Sequence, residues 1–200
     1  MNPFQVVEDF ESALSNYTGA KYAVTCTSCT SAILMAMSWH KQHSLLSTVT
    51  IPRRTYVGVP QSIISAGFQV QFGAEEWSGG YQLSPFLVWD YARRFTFNMF
   101  RVGEMHCVSF HPTKILGLSG HGGAILHDND QADEWLRRAR FDGRKEGIHP
   151  KDDAFTRGFH FYMSPVTAAE GLMRLSTLPK HNEDLPNSDY SDLSTQEIFQ

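Results

Sequence analysis

Cysteine is scarce: only Cys26, Cys29 and Cys107 occur in 200 residues, an odd number that cannot form a complete disulfide framework. Cys26 and Cys29 have a CxxC spacing, but a structural zinc site wants a second pair, which one remaining cysteine cannot supply. Long apolar runs are missing too. No stretch approaches the roughly 18 residues that a membrane helix needs, and the N-terminus MNPFQVVEDFESAL has no basic region followed by an apolar one. A cytoplasmic protein without a membrane partner is therefore expected. Basic residues are neither abundant nor clustered: 17 Lys and Arg stand against 21 Asp and Glu, for a formal net charge of -4. With no basic stripe to follow a phosphate backbone, nucleic acid is set aside as a partner.

What is present suits a folded chain. Hydrophobic residues make up 42% and charged residues 19%, enough for one core in one domain. Val7, Phe10 and Leu14 repeat at helical spacing, and Thr18-Gly19 stops the pattern, which predicts a helix from Val6 to Tyr17. The segment KYAVTC reads as a strand, and TSCTSAILMAMSWHKQH after it as a polar turn opening into a helix. Further strands are expected at STVTIP, FQVQF, FLVWD, MHCVSF and GGAILH, and further helices at Val59 to Ser65, Gln131 to Arg140 and Val166 to Leu178. This alternation predicts an α/β domain over residues 1–178, with a mostly parallel sheet flanked by helices and ligands at the carboxyl ends of the strands. Residues 179–200 are polar, hold two prolines and show no sustained period, so they read as an extended tail over the surface or a partner subunit.

Chemistry is expected just after strands. In MHCVSFHPTK a strand ends with Ser109 and leads to Lys114, followed by the Gly-rich GLSGHGGAILH; a lysine so placed is either a solvated surface lysine or one that can lose its proton more readily and act as a nucleophilic amine. Asp90 ends the apolar strand FLVWD, where an unpaired carboxylate is costly and a cation is expected. That cation is either a protonated pyridine nitrogen or an arginine such as Arg93 or Arg94. Ser28, Cys29, Thr30 and Ser31 open a helix directly after a strand, so that free N–H groups, the helix dipole and three hydroxyls form a phosphate cradle. Tyr56 follows another strand and either stacks on a flat ring or packs in the core. His106, His111, His121, His127 and His160 lie in or near this region, but no pair has metal-ligand spacing with a carboxylate nearby, and no metal is expected.

Together these segments resemble the DegT/DnrJ/EryC1/StrS family, nucleotide-sugar aminotransferases of pyridoxal-phosphate (PLP) fold type I, over about Phe10 to Leu178. FESALSNYTGAKYAV is similar to the family's first helix and strand, and TSCTSAI stands in place of its Ser-Gly-Thr-Ala turn. VWDYA resembles its Asp-x-Ala stretch, and SFHPTK with GHGGAIL its Ser-Phe-x-x-x-Lys and Gly-Gly elements. RARFDGR and GFHFYMSPVTAAEGLMRLSTL resemble the segments that follow. The resemblance implies the large domain of a PLP-dependent transferase of the aspartate aminotransferase type, reduced and without its C-terminal small domain. It implies pyridoxal 5'-phosphate as cofactor, Lys114 as the Schiff-base lysine, Asp90 as the partner of the pyridine nitrogen and Ser109 as a phosphate ligand. Departures stand out: Arg93 replaces a usual glutamine near the cofactor ring, Cys29 a glycine, and His160 and Tyr162 the Asn and Arg of a loop that in the family reaches the neighbouring subunit's cofactor. Between Phe72 and Asp90 the chain is shorter than ordinary members by at least one crossover.

The activity implied is transfer of an amino group from an amino-acid donor such as glutamate to the keto group of a nucleotide-linked sugar, in a homodimer with the site at the interface. A lysine at position 114, where some relatives that dehydrate their substrate have histidine, favours amino transfer. Two other readings stand beside it: a PLP-binding protein with a different or reduced activity, and a non-enzymatic α/β module using Ser28 to Ser31 for a phosphate.

Overall fold

The computed structural model describes residue 2, residues 4–186 and residues 189–200. The chain runs α1 (Gln5–Thr18), β1 (Tyr22–Cys26), α2 (Cys29–His43), β2 (Thr48–Pro52), α3 (Gly58–Ser65), β3 (Gln69–Gly73), β4 (Tyr81–Gln82), β5 (Val88–Tyr91), β6 (Met105–Ser109), β7 (Gly123–His127), α4 (Asp130–Arg140) and α5 (Pro165–Thr177). Local chemistry marks the helix ends. Gly19 closes α1 in the left-handed region, φ 82°, donating its N–H to Ser15 O at 2.9 Å. Ser28, Asn129 and Ser164 cap α2, α4 and α5 through side-chain oxygens, and Pro165 takes the first position of α5.

Five strands form one sheet in the order β1-β7-β6-β5-β4, and β2 pairs with β3 in a second. An antiparallel bridge between Thr50 and Ser84 joins the two. The α/β class expected from the sequence holds, but the sheet is mixed: β5·β6 and β2·β3 are parallel, whereas β1·β7, β6·β7 and β4·β5 are antiparallel. A parallel crossover needs a connection long enough to cross a face, usually through a helix. Residues 110–122 contain no helix, so β7 turns straight back and inserts between β6 and β1.

Alternation along the strands splits the core in two. Val24, Cys26, Met105, Cys107 and Ile125 face α2, α3 and α4. Ala23, Val108, Ala124 and Leu126 face Phe10 and Leu14 of α1 and Ala168 and Leu175 of α5. Since β1 and β6 both run antiparallel to β7, and β5 runs parallel to β6, the carboxyl ends of β1, β5 and β6 emerge together beside the start of β7. The tail folds back on the body: Asn182 Nδ2 donates to Tyr17 Oη and Phe95 O, Arg94 pairs with Asp184 at 2.5 Å, and Leu193 is buried. Among the described residues no helix is long and apolar enough to cross a membrane.

Candidate active site

The turn after β1 presents the N-terminus of α2. Ser28 Oγ accepts the Ser31 N–H at 3.0 Å, and Ser28 O accepts the Ala32 N–H at 3.0 Å. The Ser31 hydroxyl lies 2.9 Å from both Thr27 Oγ1 and Ser28 Oγ, so it serves the turn itself. Among the described residues the N–H groups of Cys29 and Thr30 have no acceptor. β7 lies close beneath: a Cβ on Gly123 would stand 2.5 Å from Cys29 N.

Asp90 is the next-to-last residue of β5, is only 5% exposed, and receives three donors: Tyr81 Oη at 2.9 Å, the Ala92 N–H at 2.9 Å and Cys29 Sγ at 3.8 Å. Burial pushes its pKa above the ordinary carboxylate value, although these donors and the Lys114 ammonium pull the other way. The arginines considered from sequence do not pair with it. Arg94 holds Asp184, and Arg93 Nη1 donates to Pro186 O.

Lys114 sits in the tight loop after β6. Its N–H donates to His111 O at 2.8 Å, and His111 N–H in turn donates to Ser109 Oγ at 3.3 Å. Gly117 closes this loop with φ 43°; a Cβ there would stand 2.8 Å from Pro112 O and 2.9 Å from Lys114 O, so a larger residue would open the turn. His111 and His121 meet edge to face with ring centroids 4.9 Å apart, next to Lys114 at the rim. Partial burial, with His121 and Lys114 beside it, lowers the pKa of His111.

A cavity of about 410 Å³ joins these pieces, and its walls include Ser28, Cys29, Thr30, Tyr56, Asp90, Arg93, Ser109 and Lys114. Eight residues singled out from sequence thus share one space. Tyr56 is 54% exposed and stands at the edge. Three others lie outside the lining: Ser31 is turned into its own cap, His160 bonds Asp142 at 3.0 Å on the surface, and Tyr162 packs on Phe4 and Phe141. Thr55, Trp77, Tyr81 and Tyr190 also line or support the site and were not singled out. Thr55 follows a strand and was open to the same reasoning as Tyr56. Tyr81 belongs to a two-residue strand behind Gly79 and Gly80, too short to show a period, and Tyr190 comes from the tail. Among the described residues no group of three or more His, Cys, Asp or Glu is placed to hold a metal.

A sequence model of the DegT/DnrJ/EryC1/StrS aminotransferase family matches residues 2–75 and 98–185. The unmatched stretch between them carries Trp77, Tyr81, Asp90 and Arg93, while Lys114 lies in the matched part. No curated protein matches the sequence. Similar solved structures include a DegT DnrJ EryC1 StrS aminotransferase from Brucella abortus, with TM-score 0.70, 18% identity, and 86% of this chain and 58% of that one covered. NtdA from Bacillus subtilis with bound cofactor PMP gives TM-score 0.68 at 18% identity, covering 86% and 48%. The sugar aminotransferase CalS13 from Micromonospora echinospora gives TM-score 0.72 at 16% identity, covering 86% and 60%. The chain therefore spans less than two thirds of each of these proteins.

Proposed function

Because the chain belongs to the DegT/DnrJ/EryC1/StrS aminotransferase family, we propose that its cavity binds pyridoxal 5'-phosphate and moves an amino group from an amino-acid donor, glutamate first among candidates, to the keto group of a nucleotide-linked sugar. One observation carries this reading: a cavity that brings Lys114 and the buried acid Asp90 together, with no arginine on that acid among the described residues. A buried carboxylate surrounded by donors, with no ion pair to it among the described residues, fits a protonated ring nitrogen. The free N–H groups of Cys29 and Thr30, at the positive end of α2, fit a phosphate.

Bound there, the cofactor supplies an aldehyde for amines and an electron-withdrawing ring that stabilises a carbanion. The protein's own groups divide the rest. Lys114 Nζ holds the cofactor covalently and, once released, moves the proton at the donor's α-carbon. Asp90 keeps the ring nitrogen protonated, while Tyr81, the Ala92 N–H and Cys29 fix its orientation. Ser28, Thr30 and Ser109 hold the phosphate with the α2 N-terminus, and Tyr56 stacks on the ring face. In this reading the body over residues 1–178 carries the cofactor, the segment 179–200 closes one side, and a homodimer brings His160 and Tyr162 to the second copy's site. The molar mass in solution checks the last point, and a monomeric mass at working concentration counts against it.

The direct test is the near-ultraviolet and visible absorption of the purified protein with added PLP, for wild type and Lys114→Ala, with borohydride reduction and peptide mapping. A band that requires Lys114, fades with glutamate and maps to Lys114 after reduction supports an aminotransferase. A lysine-dependent band indifferent to glutamate means a different or reduced PLP activity, and no such band leaves a phosphate-binding module.

A further inference from the structure

Arg93 keeps only 8% of its exposure yet lines the cavity. A guanidinium does not shed its proton, so burying it without an anion is unfavourable unless its donors find acceptors. They do so only in part. Nη1 donates to Pro186 O, the Leu185 N–H donates to the Arg93 carbonyl at 2.9 Å, and the Tyr190 ring lies 5.6 Å from Cζ. Among the described residues Nε is buried without an acceptor, Nη2 has none, and no carboxylate pairs with the group. Asp184, just before Leu185, is engaged through both oxygens by Arg94.

The unfilled edge, Nε with Nη2, carries two parallel donors that match the two oxygens of a carboxylate. Among the described residues no hydrogen bond joins Arg93 to the hydroxyls and free N–H groups at the start of α2, where a phosphate fits. Its neighbours come from the tail and, through Tyr190, from Trp77, whose ring stacks on Tyr190 at 6.2 Å. Resting on the amino-transfer reading, we infer that Arg93, held by Pro186 and Tyr190, receives the carboxylate of the amino-acid donor, so that the C-terminal segment builds the donor's subsite. Arg93 then belongs to the substrate and not, as the family position suggests, to the cofactor.

Calorimetric titration of cofactor-free protein with succinate and, separately, with inorganic phosphate tests this without relying on turnover. Succinate is expected to bind wild type saturably and Arg93→Gln about tenfold or more weakly, the loss expected for a charge-assisted hydrogen bond. Equal affinities overturn the inference, and so does phosphate binding that depends on Arg93 while succinate binding does not. Should Arg93→Gln fail to fold, Arg93→Lys, which keeps the charge and loses the planar fork, is expected to bind succinate several-fold more weakly; wild-type affinity there overturns it too. The PLP adduct on Lys114 is read independently. Its absence in wild type sinks the cofactor reading, whereas its presence alongside Arg93-independent succinate binding sinks only the subsite.

Discussion

The Tyr81 phenol donates to Asp90 Oδ2 at 2.9 Å while accepting from Thr55 Oγ1 at 2.5 Å. Tyr81 is buried, and its own pKa is held well above the ordinary phenol value first by burial and then by the Asp90 charge, so it remains a donor at all working pH values. Tyr81→Phe removes that donor and leaves Thr55 without its acceptor. Urea unfolding of the cofactor-free variant should show a loss of about 1–3 kcal/mol, the range for a buried polar group left unsatisfied. The variant should also bind PLP less tightly, because Asp90 becomes harder to ionise; unchanged affinity would count against Asp90 as the ring-nitrogen partner.

Cys26, Cys29 and Cys107 are buried free thiols. Burial pushes Cys26 up to about 12, and burial with the Asp90 charge raises Cys29 and Cys107 well above the ordinary thiol value. Thiolate is the reactive species, so the native protein should resist a thiol reagent at mildly alkaline pH. Labelling of all three is expected only in denaturant. Rapid modification of Cys29 in native protein would mean that the cavity opens far wider than the structure shows.

Much of this architecture was legible in the sequence because burial imposes periods. Val7, Phe10 and Leu14 mark α1, and the six strands expected from the sequence recur within a residue or two. Strand direction was not legible. The return of β7 depends on a connection lacking a helix, and the tight turn at Gly117 that permits it has no periodic signature. The site followed the same division: residues at strand ends, such as Asp90, Ser109 and Lys114, were found by position, whereas Tyr81 and Tyr190 reach the cavity through short or irregular segments. Nothing local announces such long-range approaches.

Glu11 of α1 is buried against Arg140 and Arg137, and it accepts from the Thr25 N–H at 2.8 Å and the Thr25 hydroxyl at 2.7 Å. Burial alone would raise its pKa, but the two guanidinium groups and these hydrogen bonds outweigh it and hold Glu11 below its ordinary value of 4.5. A depressed carboxylate stabilises the fold above its unfolded pKa, and that contribution fades as pH falls through the folded one. Glu11→Gln leaves buried Arg140 with the partly exposed Glu146, 3.0 Å away, as its remaining carboxylate, and should destabilise the protein at neutral pH by about 3 kcal/mol, the lower end of the range for breaking a buried ion pair. The gap from wild type should narrow on acidification below 4.5; a pH-independent gap in chemical unfolding would show that lost packing and not charge is responsible.

Asp90 has the opposite sign. Burial raises its folded pKa above the ordinary 3.8, so between those two values the native protein binds a proton that the unfolded chain does not. Stability therefore falls as pH rises through that window, and at neutral pH the cofactor-free fold carries a buried charge waiting for a cation. Asp90→Asn removes the charge while keeping the shape: its Oδ1 still accepts from the Ala92 N–H, and its amide can donate to Tyr81, whose hydroxyl then turns to Thr55. The cofactor-free variant should accordingly unfold at higher urea than wild type at neutral pH, with the advantage shrinking as pH falls towards 3.8 and gone below it, while its capacity to retain PLP falls. Side-by-side unfolding curves at the two pH values decide the matter. A variant less stable than wild type at neutral pH would mean that Asp90 already has its compensating charge within the protein, and the case for a ring nitrogen as its partner would fail.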